Sequence, residues 1–232
     1  MRVAKGDSFT LSAEGSEVCV VVLGGCCSVR AGATRWGEVG ERATPFDGPP
    51  HALYAPPGSR IEIEPVGGDV ELAIGSTQAK RGAPLQLITP ADARREVRGS
   101  GNMERTIHHI LMDDAPAESL LVTEVVTPAG HWSSYPPHKH DTNDPPNETQ
   151  LEETYYHRLR DRRGFAVQRV YTADRALDET VVVGDGDLVL VPRGYHTVSA
   201  APGYELYYLN VMAGPVRKWC VTFDPDHEWL RR

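Results

Sequence analysis

The chain has 232 residues, of which 40% are hydrophobic and 24% charged, with a formal net charge of −8. This is the composition of an ordinary globular protein, long enough for one large all-β unit or two small ones. The acidic balance argues against nucleic acid or an anionic membrane as the main partner. No apolar run is long enough to cross a bilayer, and the opening MRVAKGDSFT lacks a signal peptide's hydrophobic stretch.

Short runs rich in Val, Tyr, Thr and Ile, separated by glycine and proline, read as strands joined by turns. In chain order they are 18–23, 61–65, 70–74, 120–127, 152–157, 166–171, 188–191 and 205–211, with one weak helical candidate at 91–97. Cys19, Cys26, Cys27 and Cys220 form no CxxC pair, which fits buried, reduced thiols in a cytoplasm. An all-β barrel or sandwich is the expected outcome.

An internal repeat points to two related β domains. LYAPPGSR at 53–60 matches VLVPRGYH at 189–196, each an apolar strand followed by Pro-x-Gly and then a polar residue. The expected boundary lies in the polar, glycine-containing RREVRGSGNM at 94–103, giving domains 1–98 and 99–232. The repeats differ where chemistry would sit. The second has His196 where the first has Arg60, and a guanidinium is not a metal ligand at ordinary pH. The first domain is therefore expected to lack metal ligands.

His138 and His140 are two residues apart in SSYPPHKHD, a spacing that puts both imidazoles on one face of an extended segment. In the next strand, LEETYYHR, Glu153, Tyr155 and His157 share one face, while Glu152, Thr154 and Tyr156 share the other. Only one of the two glutamates can therefore readily join the histidines. His196 arrives from a third strand. Three imidazoles and a carboxylate would suit a divalent Zn, Mn, Fe, Ni or Co ion.

This combination resembles the cupin pattern. The segments 130–141, EETYYH and DGDLVLVPRGYHTVS resemble the 5-deoxy-glucuronate isomerase family, and the likeness covers nearly the whole chain. It implies two cupin (double-stranded β-helix) domains in tandem and an aldose–ketose isomerase of inositol catabolism. It also implies His138, His140, Glu153 and His196 as metal ligands and a sugar-acid substrate. Glu152, Tyr155 and His157 are the candidates for the base. The proline-rich insert DTNDPPNETQLE departs from the usual cupin spacing, reads as a loop or lid, and leaves Glu148 and Glu152 as rival ligands. Relatives usually carry further N-terminal residues, so either the first cupin is reduced or the start is internal to a longer protein. A related isomerase of 5-keto-4-deoxyuronate, a non-catalytic sugar-binding bicupin and a dioxygenase are the alternative readings. Edge strands leave room for a homo-oligomer.

One arginine or glutamine of AVQRVY should also face the lumen, and alternation alone does not choose between Gln168 and Arg169. An arginine there would suit a substrate carboxylate.

Overall fold

Strands of two to nine residues joined by turns make up the computed structural model, which describes residues 1–231. The strands are β1 (Arg2–Val3), β2 (Phe9–Ser12), β3 (Ser16–Gly24), β4 (Cys27–Ala31), β5 (Thr34–Val39), β6 (Ala52–Ala55) and β7 (Arg60–Pro65). They continue with β8 (Val70–Gln78), β9 (Gln86–Ile88), β10 (Arg94–Arg98), β11 (Arg105–Leu111), β12 (Leu121–Thr127), β13 (Trp132–Lys139) and β14 (Glu152–Leu159). The last six are β15 (Ala166–Tyr171), β16 (Asp178–Val183), β17 (Leu188–Val191), β18 (Tyr195–Ala200), β19 (Leu206–Ala213) and β20 (Thr222–Phe223). Two short 3-10 segments cover Gly101–Met103 and Pro225–Arg231. No helix among the described residues is long and apolar enough to cross a membrane.

The chain forms two compact units, Met1–Arg94 with His108–Val122, and Arg95–Ile107 with Thr123–Arg232. In the first, the sheets β1-β8-β3-β6-β9 and β2-β7-β4-β5 enclose Val18, Val20, Val22, Val29, Leu53, Ile61, Ile63 and Leu72. A single cut after residue 98 does not describe this division, because 108–122 returns to the first unit. The physical reason is an anchor invisible to local patterning. The buried Glu17 carboxylate accepts the backbone N–H groups of Glu118 (2.9 Å), Ser119 (2.6 Å) and Leu120 (2.6 Å) and the Tyr54 hydroxyl. Glu118 in turn accepts the N–H groups of Lys80, Arg81 and Gly82, and these bonds hold its carboxyl at about 2. The expected helix at 91–97 is also absent. Asp92 caps a turn at Thr89 with two hydrogen bonds, and Arg94–Arg98 continues as a strand.

The second unit contains the sheet β16-β15-β18-β13-β20, and β19, β14 and β17 of a six-stranded sheet ordered β10-β11-β12-β19-β14-β17. Between them lie Tyr155, Leu159, Val170, Val191, Val198, Leu206 and Tyr208, all nearly closed to solvent. The repeated Pro-x-Gly turns occupy equivalent places, joining β6 to β7 and β17 to β18. Gly194 adopts φ +93°, and a Cβ there would stand 2.7 Å from the Tyr171 carbonyl oxygen, so only glycine fits. The residue that follows this turn in the first unit, Arg60, is exposed and pairs with Glu62. Its counterpart, His196, is wholly buried.

Candidate metal centre

Register brings the expected residues together. His138 on β13 lies opposite His196 on β18, and Glu153 on β14 sits between Val191 on β17 and Met212 on β19. β13 reaches that pairing through an irregularity. His138 lies five positions after Ser133, whereas their partners Val198 and His196 are only two positions apart. The extra residues form a bulge that re-aims the strand before the ligands. His138, His140 and His196 are buried, and each offers a nitrogen within 4.8 Å of the others. The Glu153 Oε2 atom lies 3.1 Å from the Nε2 atoms of both His140 and His196.

The hydrogen bonds behind the rings fix which nitrogen faces inward. The Nδ1 atoms of His138, His140 and His196 meet the carbonyl oxygens of Pro136 (3.4 Å), Leu151 (2.9 Å) and Gly194 (3.1 Å). A carbonyl can only accept, so Nδ1 carries a proton in each ring, and Nε2 is the atom each ring presents inward. Backbone carbonyls that orient imidazoles in this way are the usual outer support of metal ligands. The His196 Nε2 atom is buried and makes no hydrogen bond. Two neutral imidazole lone pairs and a carboxylate at 3.1 Å repel one another unless a positive charge lies among them. A proton on His140 would relieve one contact and leave His196 bare. A cation would satisfy the whole set, and donors around a common ion at about 2.1 Å stand roughly 3 Å apart. The residues therefore fit a divalent ion. Burial would raise the Glu153 carboxyl, but its contacts with His140 and His196 overcome this and hold it well below the carboxylate range. Burial, then His196 and His140, press His138 far below its ordinary value, so it stays a neutral donor.

The rival glutamates are accounted for. Glu152 is exposed because alternation along β14 turns it outward, so it is neither a ligand nor within reach of the centre as a base. Glu148 is buried but already occupied. It accepts from Lys139 Nζ (2.8 Å) and from the N–H groups of Asp141 and Thr142 (both 2.8 Å). These bonds pin the insert, as does Thr149 Oγ1 to the Lys218 carbonyl (2.5 Å), so the insert is a fastened loop. Asp141 links that loop to the third histidine's turn, accepting the Gly194 N–H at 2.8 Å.

Tyr155 stands beside the centre. Its ring meets that of His196 edge-on at 5.8 Å, and its hydroxyl bonds Ser134 Oγ at 2.9 Å. Ser134 Oγ also lies 3.3 Å from the Tyr208 hydroxyl, which bonds Ser133 Oγ. Burial, then the Glu153 charge, pushes Tyr155 well above the ordinary tyrosine range, so it remains a hydroxyl donor. His157 stacks on Tyr155 at 5.9 Å, and its Nε2 atom bonds Gln168 Oε1 at 2.8 Å. Gln168 thus takes the lumen, while Arg169 faces outward onto Asp178.

His157 carries a stability consequence. Burial lowers its pKa from 6.5 to about 4. The unfolded chain takes up this proton near 6.5 and the folded chain only near 4, so the stabilising difference is complete above 6.5 and is lost as pH falls. Between pH 7 and pH 5 that loss amounts to about 2 kcal/mol. Urea unfolding of His157→Asn should show a correspondingly flatter decline than the parent chain over that interval. Parallel declines would show that His157 does not titrate on unfolding.

His138 also lines a cavity of about 270 Å³, together with Arg98, Arg105, Tyr135, Trp219, Phe223 and Arg231. Sequence reading missed these residues. Arg98 and Arg105 sit in and beside the polar stretch read as the domain boundary. The available signal was the cluster of arginines flanking Gly99.

Comparisons with known proteins follow this geometry. A protein named 5-deoxy-glucuronate isomerase from Geobacillus kaustophilus is 51% identical over 229 residues, 98% of this chain and 83% of the relative. One of the same name from Bacillus subtilis strain 168 is 44% identical over 232 residues, 99% of this chain and 85% of the relative. The crystal structure of an IolB-like protein from Salmonella typhimurium LT2 superposes with a TM-score of 0.97 at 44% identity, covering 100% of this chain and 88% of that one. Oxalate decarboxylase of Bacillus subtilis, at 13% identity and a TM-score of 0.65 over 96% of this chain and 69% of that one, shares the fold alone. The architecture is that of two cupin domains in tandem. Since the model of the KduI/IolB family matches residues 1–230 and the close relatives span nearly the full chain, this protein belongs to the KduI/IolB family.

Proposed function

We infer that this chain is a sugar-acid isomerase that interconverts 5-deoxy-glucuronate and 5-dehydro-2-deoxy-gluconate, the aldose–ketose step of myo-inositol catabolism. The relatives' names support the reaction. The observation that carries the site is the convergence of His138, His140, Glu153 and His196, with the buried His196 Nε2 atom 3.1 Å from Glu153 Oε2 and without a hydrogen-bond partner. We assign these four residues as holders of a divalent ion. When bound, such an ion polarises a carbonyl and neutralises the oxygens of an enediolate.

The chain's own groups supply the rest. Moving a carbonyl from C1 to C2 takes a proton from C2 and returns one to C1, so the site must hold mobile protons away from bulk water. Tyr155 keeps its proton at neutral pH, and its hydroxyl is joined through Ser134 to Tyr208 and Ser133. That chain of hydroxyls can steady a developing oxyanion and carry a proton along its length. His157, held neutral, supports the Tyr155 ring from behind. Free thiols at Cys19, Cys26, Cys27 and Cys220 fit a reducing cytoplasm.

The deciding assay follows ketose formation from 5-deoxy-glucuronate, with 5-keto-4-deoxyuronate as the comparison substrate. Turnover of the first should vanish after chelation and return with a divalent ion. Undiminished turnover by protein shown by elemental analysis to be metal-free would overturn the ligand assignment. Preference for the second substrate would move the reaction to pectin-derived uronates.

A further inference from the structure

We propose that Arg105 is the carboxylate-recognition residue of the cavity beside His138, its guanidinium receiving the acid end of an open-chain sugar acid while the opposite end lies at the histidines. The proposal rests on the isomerase reading for the identity of the sugar and on the following observations for the subsite.

Arg105 is 7% exposed, yet its one hydrogen bond runs from Nη1 to the Met103 carbonyl oxygen at 3.0 Å. A guanidinium has five N–H donors in a planar fork. Among the described residues no carboxylate forms an ion pair with it. Its neighbours in the cavity wall differ in this respect. Arg98 is clasped by Glu96 through two bonds of 2.8 and 3.0 Å, and Arg231 pairs with Glu228 at 3.1 Å. Their charge is met by a direct ion pair, whereas Arg105 feels the Glu96 charge only at a distance. A buried cation without a directly bonded carboxylate is costly, and burial lowers its proton affinity below that of an ordinary arginine despite the Glu96 charge. Such a group is stabilised by an anion that enters the cavity.

The local backbone is built for this placement. Gly99 has φ +84°, and a Cβ there would stand 2.3 Å from the Met103 carbonyl oxygen and 2.9 Å from Arg105 Nη1. Glycine lets the carbonyl and guanidinium close against the turn, which leaves the other edge of the fork for a ligand. Opposite, Trp219 and Phe223 flank His138, each with ring centroids 5.9 Å away, and form an apolar wall. A volume of about 270 Å³ is near the lower end of small-molecule sites and suits a chain of six carbons. A carboxylate at one end and a carbonyl at the other match these two poles.

The test titrates metal-loaded protein calorimetrically with D-gluconate and with D-glucitol, its uncharged open-chain counterpart. The parent chain should bind gluconate roughly a hundredfold more tightly than glucitol, and Arg105→Gln should erase that preference by a loss of gluconate affinity of the same size. Glucitol binding and metal content should be unchanged. Arg105→Lys, which keeps charge without the fork, should lose about tenfold. If Arg105→Gln does not fold by circular dichroism, the lysine variant decides, and an unchanged preference overturns the proposal. Arg169→Gln, on the outer surface, should behave as the parent. A parent chain indifferent to the carboxylate, or an Arg105→Gln variant that retains the preference, also overturns it. The two readings separate cleanly. Arg105-dependent gluconate binding without turnover of 5-deoxy-glucuronate sinks the isomerase and keeps the subsite. Normal turnover with unchanged KM in Arg105→Gln keeps the isomerase and sinks the subsite.

Discussion

Purified His196→Ala should contain no stoichiometric metal and should turn over sugar acid at least about a thousandfold more slowly, while its β-sheet circular dichroism stays that of the parent. The size of the effect follows from how this imidazole is held. Its Nδ1 atom meets the Gly194 carbonyl at 3.1 Å, Gly194 is tied to Asp141, and its Nε2 atom has no hydrogen-bond partner in the protein. Losing an outer support of a metal ligand typically weakens affinity 10- to 100-fold, so losing the ligand itself should exceed that range. An ion contributing several kcal/mol to the transition state accounts for a thousandfold in rate, at about 1.4 kcal/mol per tenfold. Removing a fully buried ring also opens a cavity, with a stability cost of about 2–4 kcal/mol. His138→Ala should behave alike, since His138 lies opposite His196 in register and lines the cavity. Elemental analysis decides the matter. Full occupancy in both variants would remove the histidines from the ligand set.

Much of this centre was legible in the chain because its determinants are local. Alternation along EETYYH places Glu153, Tyr155 and His157 on one face and Glu152 on the other, and β14 obeys it with Glu152 exposed. The His-x-His spacing and the Pro-x-Gly turn before His196 are likewise short-range features. The comparison of Arg60 with His196 is equally local, because both follow the same turn, and the first is exposed where the second is buried. What could not be read depends on contacts between distant residues. The extra residues between Ser133 and His138 form a bulge defined only against β18. Gln168 and Arg169 were indistinguishable until their neighbours were known, the buried His157 for one and Asp178 for the other. The segment 108–122 belongs to the first unit because of Glu17, more than a hundred residues earlier for Ser119 and Leu120. Arg105 sits just past a glycine-rich stretch whose local sequence signals a linker, and only the fold brings it to His138.

Glu153→Gln and Glu152→Gln should separate by at least two orders of magnitude in metal affinity, and Glu153→Gln should not destabilise the metal-free chain. The Glu152 side chain is exposed, so its amide should change both affinity and turnover by less than about twofold. Glu153 is 5% exposed, and its carboxylate faces the Nε2 atoms of His140 and His196 at 3.1 Å. Glutamine there keeps the shape and removes the charge. The divalent ion loses its one anionic ligand, so affinity should fall by more than about a hundredfold and turnover with it. In metal-free protein the substitution acts the other way. An amide N–H can donate to the unpartnered His196 Nε2 lone pair, and a buried charge disappears. Metal-free Glu153→Gln should therefore unfold at a urea concentration at or above that of the metal-free parent, while the metal-loaded parent exceeds both because ligand binding stabilises only the folded state. A structural ion pair between Glu153 and a protonated His140 would give the reverse, since its loss destabilises the folded chain with or without metal. The sign of the metal-free difference thus separates a site built around a cation from one built around a proton.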